Sequence, residues 1–263
     1  MSLVVTGFAP VQDVRATLSG LIAENPQDNL LQLDFNGDIN TISFNLEGSA
    51  GPAQAILDGR GLSLDINGRW GQLTALAKGS FADLWQAQGP ALVLEIEAPT
   101  SRALLDLLGM PEVRDGPLSF QASISQAGEA VSIQARGSLE NFDLGFDATV
   151  DDLLTMDGVE MTFALAGPTL QELGYMFDKP GLPDTPFAVN GEAYRRGTVV
   201  GLGKVRAAAG DAQLSIDAAL PEFPRIDNWS ATIQGEGLNL ALVAPLVGVT
   251  ELPAVPYRVK GEL

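Results

Sequence analysis

Alternation between apolar and polar residues is the feature that most constrains this chain. In the segment Phe142–Val150, every second side chain is apolar and the others are polar or glycine. The same period of two recurs in the segments 62–67, 92–97, 131–136, 159–165 and 214–218. Because successive side chains of a strand point to opposite faces, this pattern is typical of strands with one apolar face. We therefore predict a mainly β fold with roughly fourteen strands.

Turn-forming residues separate many of these predicted strands. Asn36-Gly37, Asn67-Gly68 and Gly210-Asp211 are typical of tight hairpins, and the segments 127–129 and 157–158 have similar chemistry. The links between strands are short. Short links favour antiparallel hairpins over parallel strands that are joined by crossover helices.

Three short segments with helical spacing interrupt the alternation, and they start 69 and then 70 residues apart. The same shift brings Pro117, Pro186 and Pro256 into register without gaps. Each segment opens with a residue that caps helix N-termini well. No helix is evident in the first 98 residues. The predicted helical segments are Thr100–Leu108, Thr169–Phe177 and Asn239–Val247.

The internal repeat predicts how the chain is organised. We expect an N-terminal β region of one or more units over residues 1–98, repeat units over 99–167 and 168–237, and the start of a further unit over 238–263. Each unit would contain about four strands and one short helix. Both ends of the sequence break off within predicted strands, so we expect a piece of a longer protein.

A wide sheet with one apolar face has to cover that face. Apolar surface left in water costs about 25 cal/mol per Å², and three short helices are too small to cover so many strands. One solution is a closed sandwich or barrel with a filled core. The other is a curved sheet whose apolar groove takes up lipid chains or a partner. The residue pattern leaves both open.

The strongest candidate residues are the inward apolar positions of the alternating strands. They line the groove in one solution and form the core in the other. The candidates are Leu92, Leu94, Ile96, Val131, Ile133, Phe142, Leu144, Phe146, Met161, Phe163, Leu165, Leu214 and Ile216.

Composition excludes several kinds of chemistry. The chain has no Cys and no His, so it has no disulfide framework, no thiol nucleophile and no Ser-His-Asp triad. The formal charge of −18 repels nucleic acid, whereas the 46% apolar content argues against a disordered acidic chain. We expect no enzymatic activity, no metal site and no cofactor. A carbohydrate-binding β domain is a further alternative, and it would need exposed Trp or Tyr beside carboxylates.

One segment has the beginning of a calcium-loop pattern. Asp34, Asn36 and Asp38 alternate as in an EF-hand loop, but that pattern requires Gly at 39 and Glu at 45, where this chain has Ile39 and Asn45. The segment is therefore predicted to be a hairpin turn. Arg195-Arg196 is likewise predicted to lie at a solvated turn.

The repeat carries a motif of the form L-P-x-x-P-[FY]-x-V-x-G-E, present at Leu182–Glu192 and again at Leu252–Glu262. Together with the alternating strands and the short Leu-rich helix, this motif resembles the AsmA-like family of Gram-negative envelope proteins. The resemblance covers residues 90–263 well and the first 90 weakly.

The resemblance implies a fold and a role. Family members have a long curved antiparallel sheet with a taco-like apolar groove, related to bridge-like lipid-transfer proteins. They extend into the periplasm from an inner-membrane anchor that this sequence lacks, and they are linked to phospholipid transport and outer-membrane assembly. The expected partners are therefore a phospholipid or other acyl-chain lipid and envelope proteins. The alternative is a closed scaffold or protein-interaction module.

Overall fold

The computed structural model describes residues 2–5, 14–22, 30–39, 42–107, 114–176, 181–221, 229–243 and 252–262. Over these residues the chain is mainly β, as the alternation predicts. The chain divides into two compact parts. The first holds the strands up to Leu139, and the second holds the strands from Phe142 onward.

The first part is an antiparallel sheet with two short helices. Its strands are β1 (Ser2–Val5), β2 (Val14–Ile22), β3 (Leu31–Ile39), β4 (Ile42–Gly51), β5 (Arg60–Trp70), β6 (Leu73–Asp83), β7 (Ala91–Ala98), β8 (Leu118–Ala127) and β9 (Ala130–Leu139). Helix α1 (Ala53–Asp58) follows β4, and helix α2 (Arg102–Leu107) follows β7. Each strand pairs with the next one along the chain.

The second part has the same construction. Its strands are β10 (Phe142–Val150), β11 (Val159–Gly167), β12 (Phe187–Arg196), β13 (Val199–Ala209), β14 (Ala212–Leu220), β15 (Ser230–Gly237) and β16 (Tyr257–Glu262). Helix α3 (Leu170–Met176) follows β11, and a short 3-10 helix (Leu240–Val243) follows β15. The strands again pair in chain order, so the sheet of each part is open.

The short links form antiparallel hairpins, as predicted. Gly128-Glu129 connects β8 to β9, and Gly210-Asp211 connects β13 to β14. Two predicted turns are wrong, because Asn36-Gly37 lies inside β3 and Asn67-Gly68 lies inside β5. In both strands the apolar alternation continues through the dipeptide, and pairing along the whole strand outweighs the local preference for a turn.

The predicted helices are partly confirmed. Helices α2 and α3 lie within the predicted segments 100–108 and 169–177. The described residues of the third segment form a 3-10 helix, not an α-helix. Residues 108, 177 and 244–247 lie outside the described residues. Helix α1 lies in the first 98 residues, where the sequence pattern shows no clear helix.

The predicted N-cap residue accepts a backbone hydrogen bond in each of the three segments. The N–H of Arg102 donates to Thr100 Oγ1 at 3.4 Å. The backbone N–H of Glu172 donates to Thr169 Oγ1 at 3.1 Å, and that of Ala241 donates to Asn239 Oδ1 at 3.0 Å. Each side chain satisfies one of the N–H groups that a helix leaves without an intrahelical partner.

One backbone hydrogen bond recurs at the spacing of the sequence repeat. The N–H at the start of each predicted helical segment donates to a carbonyl of the loop that follows it. These bonds are Ser101 to Gly116 at 2.8 Å, Leu170 to Thr185 at 2.8 Å and Leu240 to Val255 at 2.9 Å. Helix and loop are therefore tied together alike in the three segments. The unit boundaries at 99, 168 and 238 stay a prediction.

No helix in the described ranges is long and apolar enough to cross a membrane. Buried apolar side chains form at least one small cluster among the described residues. It lies in the first part, joins Ala50, Ala55 and Leu62 and is flanked by Leu33 and Leu84.

Candidate functional site

The register of the strands places every candidate residue of the second part on one face of its sheet. Leu144 lies opposite Leu165, and Phe146 lies opposite Phe163. Directly opposed residues of paired strands share a face. The same face continues through Val189, Ala207 and Leu214 to Gly235 and Val259 on the last strands. We call this surface the apolar face of the second part.

The candidates of the first part also share a face. Leu92 lies opposite Ile124, which in turn lies opposite Ile133. Leu94 and Ile96 follow on the same side of β7, and Val131 follows on the same side of β9. The alternation therefore places the candidates of each part on one face of its sheet, and a one-residue slip of the register would move them to the other face.

Burial separates the candidates into groups. Phe142 is 2% exposed and Val131 is 4% exposed, so these two are core residues. Leu214 is 37% exposed. The remaining ten candidates are half-buried. A filled core would bury nearly all of them, whereas the described strands leave most of these side chains partly accessible.

The apolar face of the second part contains a cavity of about 510 Å³. The strands β12 to β16 form its floor, and Leu170 and Leu173 of α3 lie on one side of it, with Leu240 of the 3-10 helix also in its wall. No charged side chain of the described residues lines it. Small-molecule sites commonly have volumes of about 300–1,000 Å³ and mostly apolar walls, so this cavity is large enough for a ligand.

Small residues make room for the cavity. Ala207, Ala209, Ala212 and Gly235 lie on its floor, whereas the same face of β10 and β11 carries Leu144, Phe146, Phe163 and Leu165. A Cβ atom at Gly235 would lie 3.5 Å from Leu214 Cδ1, an ordinary contact, so the empty space comes from short side chains and not from strained backbone.

Tyr257 is one of three lining residues with a polar side-chain group, together with Thr185 and Gln213. Burial raises the pKa of its phenol, and the nearby Asp211 carboxylate raises it further. The Asp211 carboxylate accepts a hydrogen bond of 2.6 Å from the backbone N–H of Leu238. The phenol therefore stays neutral at physiological pH and can donate a hydrogen bond to a ligand oxygen.

The opposite face is polar in both parts. On the polar face of the first part, Lys78 Nζ lies 2.8 Å from Asp65 Oδ2, and this contact raises the pKa of Lys78. On the polar face of the second part, Lys204 pairs with Glu192 at 2.8 Å. These pairs are solvent-exposed, and water and salt screen such pairs strongly. The polar face is therefore typical of a solvated surface.

The other sequence candidates form no site. Asp34, Asn36 and Asp38 lie along β3, not in a turn, and Asn36 Nδ2 donates to Asp34 at 2.7 Å. No group of potential metal ligands occurs among the residues that the structure describes. Arg195 and Arg196 end β12 beside the turn at Gly197, as predicted.

Comparison of the chain with family models, with curated proteins and with solved structures finds no match. The fold and the site therefore define a class only: a mainly β protein with open antiparallel sheets, each of which has one apolar face.

Proposed function

We propose that the apolar face of the second part binds the acyl chains of a lipid. The protein would act without catalysis, as a lipid-binding segment of an AsmA-like envelope protein in the periplasm. The full-length protein would be anchored in the inner membrane and would serve phospholipid transport or outer-membrane assembly. The observation that carries the proposal is the 510 Å³ cavity on this face, whose described lining has no charged side chain.

The energetics favour an acyl chain as the occupant. Each methylene that moves from water into an apolar site contributes about 0.8 kcal/mol. An unbranched chain can follow the floor of small residues between α3 and the 3-10 helix, where the described walls offer few hydrogen-bond partners. The proposal includes a curved sheet that forms a groove, and sequence repeats that extend this groove along the chain.

The proposal is tested by lipid recovery from variants that place a charge in the cavity. Leu214 and Val259 both line it and are 37% and 53% exposed, so Leu214→Asp and Val259→Asp need not disrupt a packed core. Ser215→Asp is the matched control, because Ser215 follows Leu214 in β14 and points to the opposite face. Native mass spectrometry and lipid extraction measure the bound lipid.

We expect lipid with the parent protein and with Ser215→Asp, and a loss of at least tenfold with either cavity variant. Circular dichroism shows that each variant is folded. Equal lipid recovery from folded Leu214→Asp and from the control would refute the proposal, as would a parent protein that carries no lipid. The second result would favour the scaffold or protein-interaction alternative.

A further inference from the structure

The polar face of the second part carries a cleft whose charge is opposite in sign to that of the whole chain. The cleft has a volume of about 540 Å³ and lies on strands β12 to β16, on the face opposite to the acyl-chain cavity. Its described lining includes three cations, Arg206, Arg258 and Lys260, and one carboxylate, Glu236. This lining therefore has a formal charge of +2, in a chain whose formal charge is −18.

The register of the strands brings the polar lining together. Arg206 of β13 lies opposite Ser215 of β14. Gln234 of β15 lies opposite Ser215 on one side and opposite Lys260 of β16 on the other. Neighbouring strands lie about 4.8 Å apart, so the backbones of Arg206 and Lys260 are about 14 Å apart across the cleft. Both side chains are long enough to reach toward a ligand that lies between them.

The cations of the cleft are accessible to a ligand. Arg206 is exposed, and it forms no ion pair within the part of the chain that the structure describes. Arg258 pairs with Glu236 at 2.9 Å, and Lys260 Nζ lies 3.8 Å from Glu262. These pairs are solvent-exposed and therefore weak, so they do not hold Arg258 and Lys260 away from an anion.

The positive charge is not a general property of the polar faces. The polar face of the first part has a cleft of about 430 Å³, whose described lining contains Glu47, Glu95 and Glu97 with Arg69 as its one cation. That lining has a formal charge of −2. Solubility alone would favour carboxylates in both clefts, so it does not explain the cations of the second.

Protection of an outer strand explains only some of these cations. Lysine and arginine on an outer strand discourage unwanted pairing of sheets, and this accounts for Arg258 and Lys260 on β16. Arg206 lies three strands away, on β13, which pairs on both sides. Its place in the same cleft therefore needs another explanation.

We propose that this cleft binds a phosphate monoester. A guanidinium binds phosphate oxygens with two parallel hydrogen bonds, and Arg206 has its donors unengaged by any described carboxylate. Ser215 and the amides of Asn190 and Gln234 supply further donors. A phosphate monoester carries a charge of about −1.5 to −2 at neutral pH, which matches the +2 of the lining, whereas a carboxylate has a single charge. The inference does not rest on the acyl-chain cavity.

The test is isothermal titration calorimetry of the full chain with glycerol 3-phosphate at an ionic strength of about 0.02 M, where screening is weak. Arg206→Gln should weaken binding at least about fivefold, since it removes a charge-assisted pair of hydrogen bonds. Arg69→Gln is the matched control, because it removes the same charge from an exposed arginine of the acidic cleft. Circular dichroism shows that each variant is folded. Equal affinities of the two folded variants would overturn the proposal.

The carboxylate of the cleft allows a test in the opposite direction. Glu236→Gln removes this one acidic side chain of the described lining and releases Arg258 from its ion pair, so it should tighten binding at least about twofold. Glu95→Gln changes the net charge by the same amount in the cleft of the first part and should leave the affinity unchanged. Equal tightening by both variants would mean that net charge governs the affinity, and it would overturn the proposal.

A second ligand distinguishes a free phosphate monoester from a lipid headgroup. Dihexanoyl phosphatidic acid carries the same phosphate on a short-chain lipid. Binding of both ligands that Arg206→Gln weakens shows that the cleft takes a free monoester, and such binding of the lipid alone identifies a headgroup as the source. A parent that binds neither ligand would overturn the proposal. So would lipid binding that Leu214→Asp abolishes and Arg206→Gln leaves unchanged, without binding of glycerol 3-phosphate, and this result would leave the acyl-chain proposal standing.

Discussion

Phe142 and Leu214 were both candidate groove residues, and the structure gives them opposite roles that a stability measurement can separate. The ring of Phe142 is 2% exposed and lies 6.1 Å, centroid to centroid, from that of Phe187 at an interplanar angle of 44°. The two rings meet across Gly167, where a Cβ atom would fall 2.4 Å from Phe142 Cδ1 and 2.8 Å from Phe187 Cε1. Leu214 instead borders the cavity and is 37% exposed.

The expected losses follow from this difference. Phe142→Ala removes a packed ring and leaves a new void, which costs about 3–5 kcal/mol in the free energy of unfolding. Leu214→Ala removes a side chain that already borders open space. The free energy of unfolding should therefore fall by only about 1–2 kcal/mol, the transfer free energy of the part of the Leu214 side chain that is buried.

Urea unfolding followed by circular dichroism measures both values. The two variants should differ also in lipid recovery, because Leu214→Ala changes the cavity whereas Phe142→Ala acts mainly on stability. Equal losses of stability would refute the reasoning, since they would mean that the inward face is packed to the same degree at β10 and at β14.

Two further predictions concern the first part. Ser101 is 2% exposed, and its hydroxyl donates to Asp115. Asp115→Ala removes this acceptor and should lower the free energy of unfolding in urea by about 1–3 kcal/mol. The hydrogen bond from the Thr100 hydroxyl lowers the pKa of Asp115 in the folded state. The stabilisation by Asp115 is therefore complete above pH ~4 and is lost as the pH falls through the lower pKa of the folded state. A difference in unfolding free energy between the parent and Asp115→Ala that stays the same at acid pH would contradict this. Gly48→Ala should lower the free energy of unfolding by about 2 kcal/mol or more, because φ is +155° there and the new Cβ would lie 2.1 Å from the carbonyl oxygen of Asp65. Gly261→Ala is the control: it has open space around it and should change the urea midpoint little.

The alternation predicted which residues share a face of the sheet, because successive side chains of a strand point to its two sides in turn. Once Leu144 and Phe146 are inward, Leu165 and Phe163 follow from the pairing. Turns were less predictable. The dipeptide Asn36-Gly37 prefers a turn locally, but β3 pairs along its length with β2 and β4, and these long-range hydrogen bonds decide.

The exposed side chains of one turn were missed for a different reason. Leu154 and Met156, between β10 and β11, look like ordinary apolar residues beside a strand, but they lie in the turn that the two hydrogen bonds between Asp152 and Asp157 close. The signal that could have found them is the repeat, which places Trp85 at the same position 69 residues earlier. The Asp residues at 83 and 152 keep the same spacing.

The cavity depends on side-chain size across strands, which no single strand reveals. Along the apolar face of the second part, β10 and β11 present Phe, Leu and Met, and large side chains lie opposite one another at Leu144 and Leu165 and at Phe146 and Phe163. Farther along, Ala207 lies opposite Leu214, and Leu214 lies opposite Gly235. The pattern of alternation is the same at both places, so periodicity alone predicts one uniform face. Side-chain volume distinguishes the two places: opposed large side chains fill more of the space above the sheet at β10 and β11, whereas the small residues opposite Leu214 leave a cavity open farther along.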